Sequence, residues 1–199
     1  MKYLKIYITA FLILSTVAVS SGQSKYTTLN YSLGLPAGDI SDYIDEVSFR
    51  GLNIAFRSEV NGMLMLGVKT GYNVFYEDSG YRTATDGTLT ISGRQYRYEQ
   101  VVPIYFTIGK QFLEDNNLRP YINLGIGTSY IERETDIGIF AFTDDTWQFS
   151  LNPEVGVVYW VYPGFGFNLG LSYYANFKND VFEGQNYLGI QAGIAFYSR

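Results

Sequence analysis

The 199-residue chain contains no cysteine and no histidine. Without cysteine, an exported fold has to be stable without disulfides, and a thiolate nucleophile is excluded. Without an imidazole, nothing takes the proton of a nucleophilic serine, so the Ser-His-acid hydrolytic arrangement is excluded as well. Transition-metal sites built on His or Cys fall with it. Basic residues are in the minority, 14 Lys and Arg against 19 Asp and Glu, for a net charge of −5. A protein of that sign repels phosphates and is a poor partner for nucleic acid. Beyond residue 22 no apolar run is long enough for a transmembrane helix, and no segment has helical periodicity.

The first stretch stands apart. Lys2 and Lys5 precede an apolar run from Ile6 to Val19, and the small residues Ser20 and Gly22 stand at the −3 and −1 positions of a cleavage site before Gln23. That order is the order of a secretory signal peptide, and the run is short for a membrane span. The chain then divides into a signal peptide, 1–22, and one domain, 23–199.

What fills the domain is strict alternation. From Tyr121 to Ile131, the residues Ile122, Leu124, Ile126 and Tyr130 oppose Asn123, Gly125, Gly127 and Ser129. Period two means a β-strand with two unlike faces. The pattern recurs over 26–35, 47–57, 64–76, 98–110, 147–159, 167–173 and 188–196, which predicts eight strands. The links at 58–62, 112–119 and 161–166 are the turn-rich ones. Those at 36–46, 77–97, 132–146 and 177–186 are generally longer and more polar. Short turns at one end and long loops at the other is the layout of an outer-membrane barrel.

The composition of the two faces decides which side meets lipid. A soluble lipocalin-like barrel would turn the isoleucines inward and expose the other face. That face carries mainly Gly, Asn, Ser and Thr, where soluble exteriors carry charge. The expected fold is therefore all-β, an eight-stranded antiparallel up-and-down transmembrane β-barrel with its glycine-rich face inside. Trp147 and Tyr159 share the apolar parity of one strand. Twelve residues at ~3.3 Å give about 40 Å of strand, or about 30 Å when tilted, near the height of a lipid-facing band with its aromatic girdles. Tyr72, Tyr130, Trp147 and Tyr173 are expected in the outer girdle. Phe56, Tyr159, Phe167 and Phe196 are expected in the periplasmic one. Pro103 and Pro153 fall inside strands of a wall with no edge, so a bulge or a rim position is expected at each.

Three stretches carry a family resemblance. "YRYEQVVPIYFTIGKQF" (96–112) leads through a short turn to "LRPYINLGIGTSYI" (118–131), and "YLGIQAGIAFYSR" (187–199) closes the chain. These resemble the small outer-membrane β-barrel domain family of Gram-negative bacteria, over nearly all of the mature chain. The resemblance implies a place in the outer membrane among lipid and lipopolysaccharide. It also implies insertion by the barrel-assembly machinery, read through Gln191, Gly193 and Phe196 of the closing strand. Many members end on an aromatic residue, whereas this chain ends on Ser198 and Arg199.

Interior parity puts Arg57, Lys69, Glu99 and Glu154 inside the wall. Two carboxylates are formally able to do acid–base work, but buried charges first need partners. Lys69 is therefore expected to reach at least one of the two glutamates. Asp39, Asp42, Asp45 and Glu46 crowd one loop without the spacing of a calcium loop. Arg94 and Arg97 are expected near the outer rim, beside lipid phosphates. No catalytic, cofactor-binding or metal-binding residue is assigned. The expected role is that of a non-enzymatic integral outer-membrane protein, structural or binding, acting through four long extracellular loops. The alternatives are a narrow channel for small solutes and an accessory subunit of an envelope secretion machine.

Overall fold

The computed structural model describes residues 25–61, 64–86, 89–113 and 116–198, so the proposed signal peptide, 1–22, lies outside the described residues. Eight strands form a closed barrel in sequence order. They are β1 (Lys25–Ala37), β2 (Ser48–Asn61), β3 (Leu64–Asp86), β4 (Leu89–Gln111), β5 (Leu118–Ile137), β6 (Phe140–Tyr162), β7 (Phe165–Asn176) and β8 (Asn186–Ser198). Every neighbouring pair is antiparallel, and β1 pairs with β8 from Lys25↔Ser198 to Ala37↔Asn186 to close the ring. Both strand ends near the termini lie at one end of the barrel, here the terminal end. The other is the loop end.

The alternation in the sequence becomes the two faces of the wall. In β5, Tyr121 and Asn123 are buried inside, while Ile122, Leu124 and Ile126 are 40–50% exposed outside. The same sorting holds for Leu29, Leu52, Phe106, Val155 and Leu169, which make an apolar band round the barrel. A band of this size does not face water in a soluble monomer. It is the exterior of a transmembrane barrel.

The prolines do not bend the wall as expected. Pairing of β4 with β5 runs unbroken through Pro103↔Ser129, and that of β5 with β6 through Leu124↔Pro153. Registers on the far sides, Thr70↔Ile104 with Asn73↔Val101 and Leu151↔Ala175 with Glu154↔Ser172, also stay in phase. Side chains make good the ladder. Asn152 Nδ2 donates to the carbonyl of Tyr173, across from Pro153, at 2.9 Å. Thr70 Oγ1 donates to the carbonyl of Pro103 at 2.8 Å. Irregularities fall elsewhere, at Ser32/Gly34, Glu59/Asn61, Asp78/Gly80 and Trp160/Tyr162.

The long links also differ from expectation. Residues 77–86, 89–97, 132–137 and 140–146 belong to strands. β3 pairs with β4 out to Asp86↔Leu89, and β5 with β6 out to Ile137↔Phe140. β3, β4 and β6 are 23 residues long and β5 is 20, against 12–14 for the other four. Apolar–polar contrast marks only the lipid-bathed part of a strand. Above it both faces are solvated and the contrast vanishes, while the hydrogen-bonded ladder continues. Two links remain loops, 38–47 and 177–185, and the first carries a short helix, α1 (Asp39–Tyr43).

Candidate functional site

Three tiers of side chains fill the lumen. At the terminal end Tyr26, Met65, Tyr121, Val158 and Trp160 pack together. Trp160 meets Tyr26 and Tyr197 edge-on, with ring centroids 5.8 and 5.6 Å away. Gly156 makes room for Tyr121, since a Cβ there would lie 2.5 Å from the Tyr121 hydroxyl.

The middle tier is polar. Glu154 accepts from Arg57 Nη2 at 2.9 Å and from Lys69 Nζ at 2.6 Å. Lys69 also donates to Asn152 Oδ1 at 2.8 Å and Ser172 Oγ at 3.0 Å. Arg57 lies over the rings of Tyr26 and Tyr121, and Lys69 lies over Tyr174, so each cation also faces an aromatic ring. A chain of amides crosses the lumen beside them. Tyr121 OH donates to Asn168 at 3.0 Å, Asn168 to Asn30 at 2.8 Å, and Asn30 to Asn53 at 2.9 Å.

The loop-end tier is mainly apolar. Ile40 and Ile44 descend from α1 and its C-terminal flank to pack with Phe75, Val101, Ile131 and the Tyr174–Tyr187 pair. That pair is stacked, with centroids 4.2 Å apart and planes 10° apart. Glu99 belongs here, apart from the Lys69 cluster. It accepts from Arg133 Nε at 2.7 Å. The Arg133 guanidinium lies 4.4 Å from the Tyr43 ring centroid and 4.7 Å from that of Phe182, and it donates to Gln185. One arginine thus fastens α1 and the 177–185 loop over the lumen. Sequence reasoning missed Arg133 because it fell in an expected link. Period two, followed past Ile131, would have found Arg133, Thr135 and Ile137 on the inner face.

Tyr72, Trp147 and Tyr173 are exposed on the outer face towards the loop end, with Tyr130 half-buried opposite Trp147, 5.3 Å between rings. Phe56, Tyr159, Phe167 and Phe196 are exposed towards the terminal end, where Tyr159 pairs with Phe167. Gln191 is buried and donates to Ser172 Oγ, and Gly193 lies between Asn30 and Asn168. Arg97 departs from expectation. It points inward and donates to the Tyr43 carbonyl at 2.8 Å. Arg94 points outward to Asp78, Nε to Oδ1 at 3.1 Å, and holds that carboxyl below its ordinary range.

Because four strands are long and four short, β3–β6 rise past the loop-end rim as a four-stranded sheet. On its β7 side, β6 has a strand partner only as far as Ser150↔Asn176. Phe177 N donates to Phe149 O at 2.9 Å and Asn179 Nδ2 to Trp147 O at 3.0 Å. Beyond Thr146, among the described residues, no backbone hydrogen bond reaches Phe140–Asp145 from that side. The β5–β6 hairpin is acidic, with Glu132 opposite Asp145, Glu134 opposite Thr143 and Asp136 opposite Ala141. Its tip is apolar, Ile139 being 93% exposed and Phe140 and Phe142 about half so. Among the described residues no group of three or more carboxylates is placed to hold a metal ion.

No family model and no curated protein matches the sequence. Solved structures do match the fold. Ail, the attachment invasion locus protein of Yersinia pestis, in complex with the heparin analogue sucrose octasulfate, aligns with a TM-score of 0.55 at 15% identity, over 88% of this chain and 99% of that one. Neisserial surface protein A aligns at 0.56 and 16%, over 88% and 97%. A major outer membrane protein from Thermus thermophilus aligns at 0.59 and 15%, over 88% and 99%. At these identities the likeness concerns architecture, and the architecture of this chain is that of the small eight-stranded outer-membrane β-barrels.

Proposed function

We propose that the chain is a non-enzymatic integral outer-membrane protein, a plugged barrel that carries a binding surface on its raised β3–β6 sheet. The carrying observation is the pairing of a filled lumen with a wall that rises unevenly. A channel needs a continuous water path, and here two mainly apolar tiers flank a polar, ion-paired one. An eight-stranded barrel is narrow enough for side chains to fill it. The raised sheet, in contrast, carries the β3–β4 ladder on from Val74↔Gln100 to Asp86↔Leu89, well past the girdle residue Tyr72, as structure that spans nothing.

In this reading residues 1–22 direct export, and Gln191, Gly193 and Phe196 present β8 to the assembly machinery. The girdles sit at the lipid and lipopolysaccharide boundary, and the raised sheet and the two loops face the outside. The Ail structure holds a sulfated sugar analogue. A polyanion of that kind would meet Glu132, Glu134, Asp136 and Asp145 on the hairpin here, so charge argues for a different ligand class.

Planar-bilayer recording of the refolded chain tests the reading. Absence of steady conductance supports a plugged anchor. Stable unitary currents would defeat it and promote the narrow-channel alternative. Co-purification from native membranes with a secretion complex would instead favour an accessory subunit.

A further inference from the structure

We infer that the Phe140–Asp145 edge of β6 takes up a basic, extended segment of a partner protein as an added strand. This rests on reading the raised sheet as a binding surface. Six residues at ~3.3 Å make about 20 Å of edge, an ordinary strand length. Alternate residues of such an edge direct N–H and C=O groups outward, ready for a ladder.

The two edges of the raised sheet are not alike. Exposed edges in natural sheets are blunted by bulges, lysine, proline or covering groups. The β3 edge has such devices. It carries the irregularity at Asp78/Gly80, Arg82 just beyond it, and Glu77, whose carboxylate accepts from Asp45 N at 3.0 Å. The β6 edge from Phe140 to Asp145 has no proline, no lysine, no bulge and no covering bond among the described residues. It is left open, and it is the acidic one.

Charge identifies the occupant. The outward face of the hairpin carries Glu132, Glu134 and Asp136 on β5 and Asp145 on β6. Facing them on β4 are Gln100, Tyr98 and Tyr96, all neutral. Arg94 is committed to Asp78, Arg97 to the Tyr43 carbonyl, and Arg133 to Glu99. An incoming strand with Lys or Arg at every second position sets one beside Asp145 and points the others across Thr143 and Ala141 towards the carboxylates of β5, one strand spacing of ~5 Å further on. Its intervening apolar side chains then lie on the face of Phe140 and Phe142. A second copy of this chain is disfavoured, because joining two such edges would bring two hairpins of the same acidic sign side by side, with Arg94, Arg97 and Arg133 not free to answer either.

The test uses the full barrel domain in nanodiscs of neutral phosphatidylcholine. The probes are an eight-residue peptide alternating Lys and Val, its Glu–Val counterpart, and a Lys–Val peptide N-methylated at alternate residues. Anisotropy and hydrogen exchange of Phe140–Asp145 are read. The Lys–Val peptide is expected to bind, more tightly at low salt, and to protect that segment. The N-methylated form should bind at least tenfold more weakly. Asp144→Lys with Asp145→Lys should reverse the preference, with folding checked by the heat-dependent gel shift of the barrel. Equal binding of the N-methylated peptide would mean charge adhesion without a ladder and would overturn the proposal. So would binding of the Glu–Val peptide alone, which leaves the binding-surface reading standing. Absence of binding by every peptide also overturns it, while the plugged-barrel reading is judged separately by conductance.

Discussion

Lys69 Nζ lies 2.6 Å from Glu154 Oε2, and Arg57 Nη2 lies 2.9 Å from the other oxygen of the same carboxylate. All three side chains are almost wholly buried. One anion therefore answers two cations, and its loss leaves both uncompensated. Removing one partner of a buried pair costs roughly 3–5 kcal/mol. Glu154→Gln is expected to lose that much in urea unfolding from lipid. Lys69→Met should lose less, because the Arg57–Glu154 pair survives it. The reverse order would show that the carboxylate is not what holds the middle tier together.

Ile126 is about half exposed on the apolar face of β5. Arg at the midplane of such barrels costs roughly 2–4 kcal/mol. Ile126→Arg should show that loss on refolding into bilayers. Thr143→Arg, on the raised hairpin beside Glu134, should be nearly neutral. Equal cost at the two sites would place the hairpin in lipid and dissolve the boundary drawn at Tyr130 and Trp147.

The eight strands were legible because lipid on one side and a packed lumen on the other impose opposite chemistry on successive residues. Ile122 and Asn123 show it in one step. The same contrast exposed the inner charges Arg57, Lys69 and Glu154. It failed where the environment is water on both faces. "EDSGYRTATD" (77–86) reads as a loop because nothing apolar alternates there, yet it is ladder-bonded strand. Arg133 was hidden because the rings that cover it, Tyr43 and Phe182, come from distant loops. The prolines misled for a different reason. Local rules count the missing N–H, but not an Asn152 placed to serve the acceptor across from it.

Arg133 ties Tyr43, Glu99, Phe182 and Gln185 into one cover. Arg133→Ala leaves Glu99 buried without its cation and loosens α1 and the 177–185 loop. Faster hydrogen exchange is expected in both segments. Conductance should nevertheless stay negligible, because the amide chain and the Trp160 tier still block the lumen below. A variant that gains steady current would make the loop-end tier the sole barrier and the barrel a gated channel.

Gly156 and Tyr121 share one small volume at the terminal end of the lumen. A Cβ at 156 would stand 2.5 Å from the Tyr121 hydroxyl and 2.7 Å from the Leu169 carbonyl. The ring has little freedom to move, since its hydroxyl donates to Asn168 and the Arg57 guanidinium lies against its face. Overpacking of this kind costs roughly 1–3 kcal/mol. Gly156→Ala should show that loss in urea unfolding from lipid. Tyr121→Leu should also destabilise, by removing the Asn168 bond and the aromatic packing. The two losses should not add, because the shorter side chain vacates the space that the new methyl needs. A double variant that loses the full sum of the two would mean that the Leu169 backbone is the obstacle. The glycine would then serve strand approach in the wall and not the seating of Tyr121.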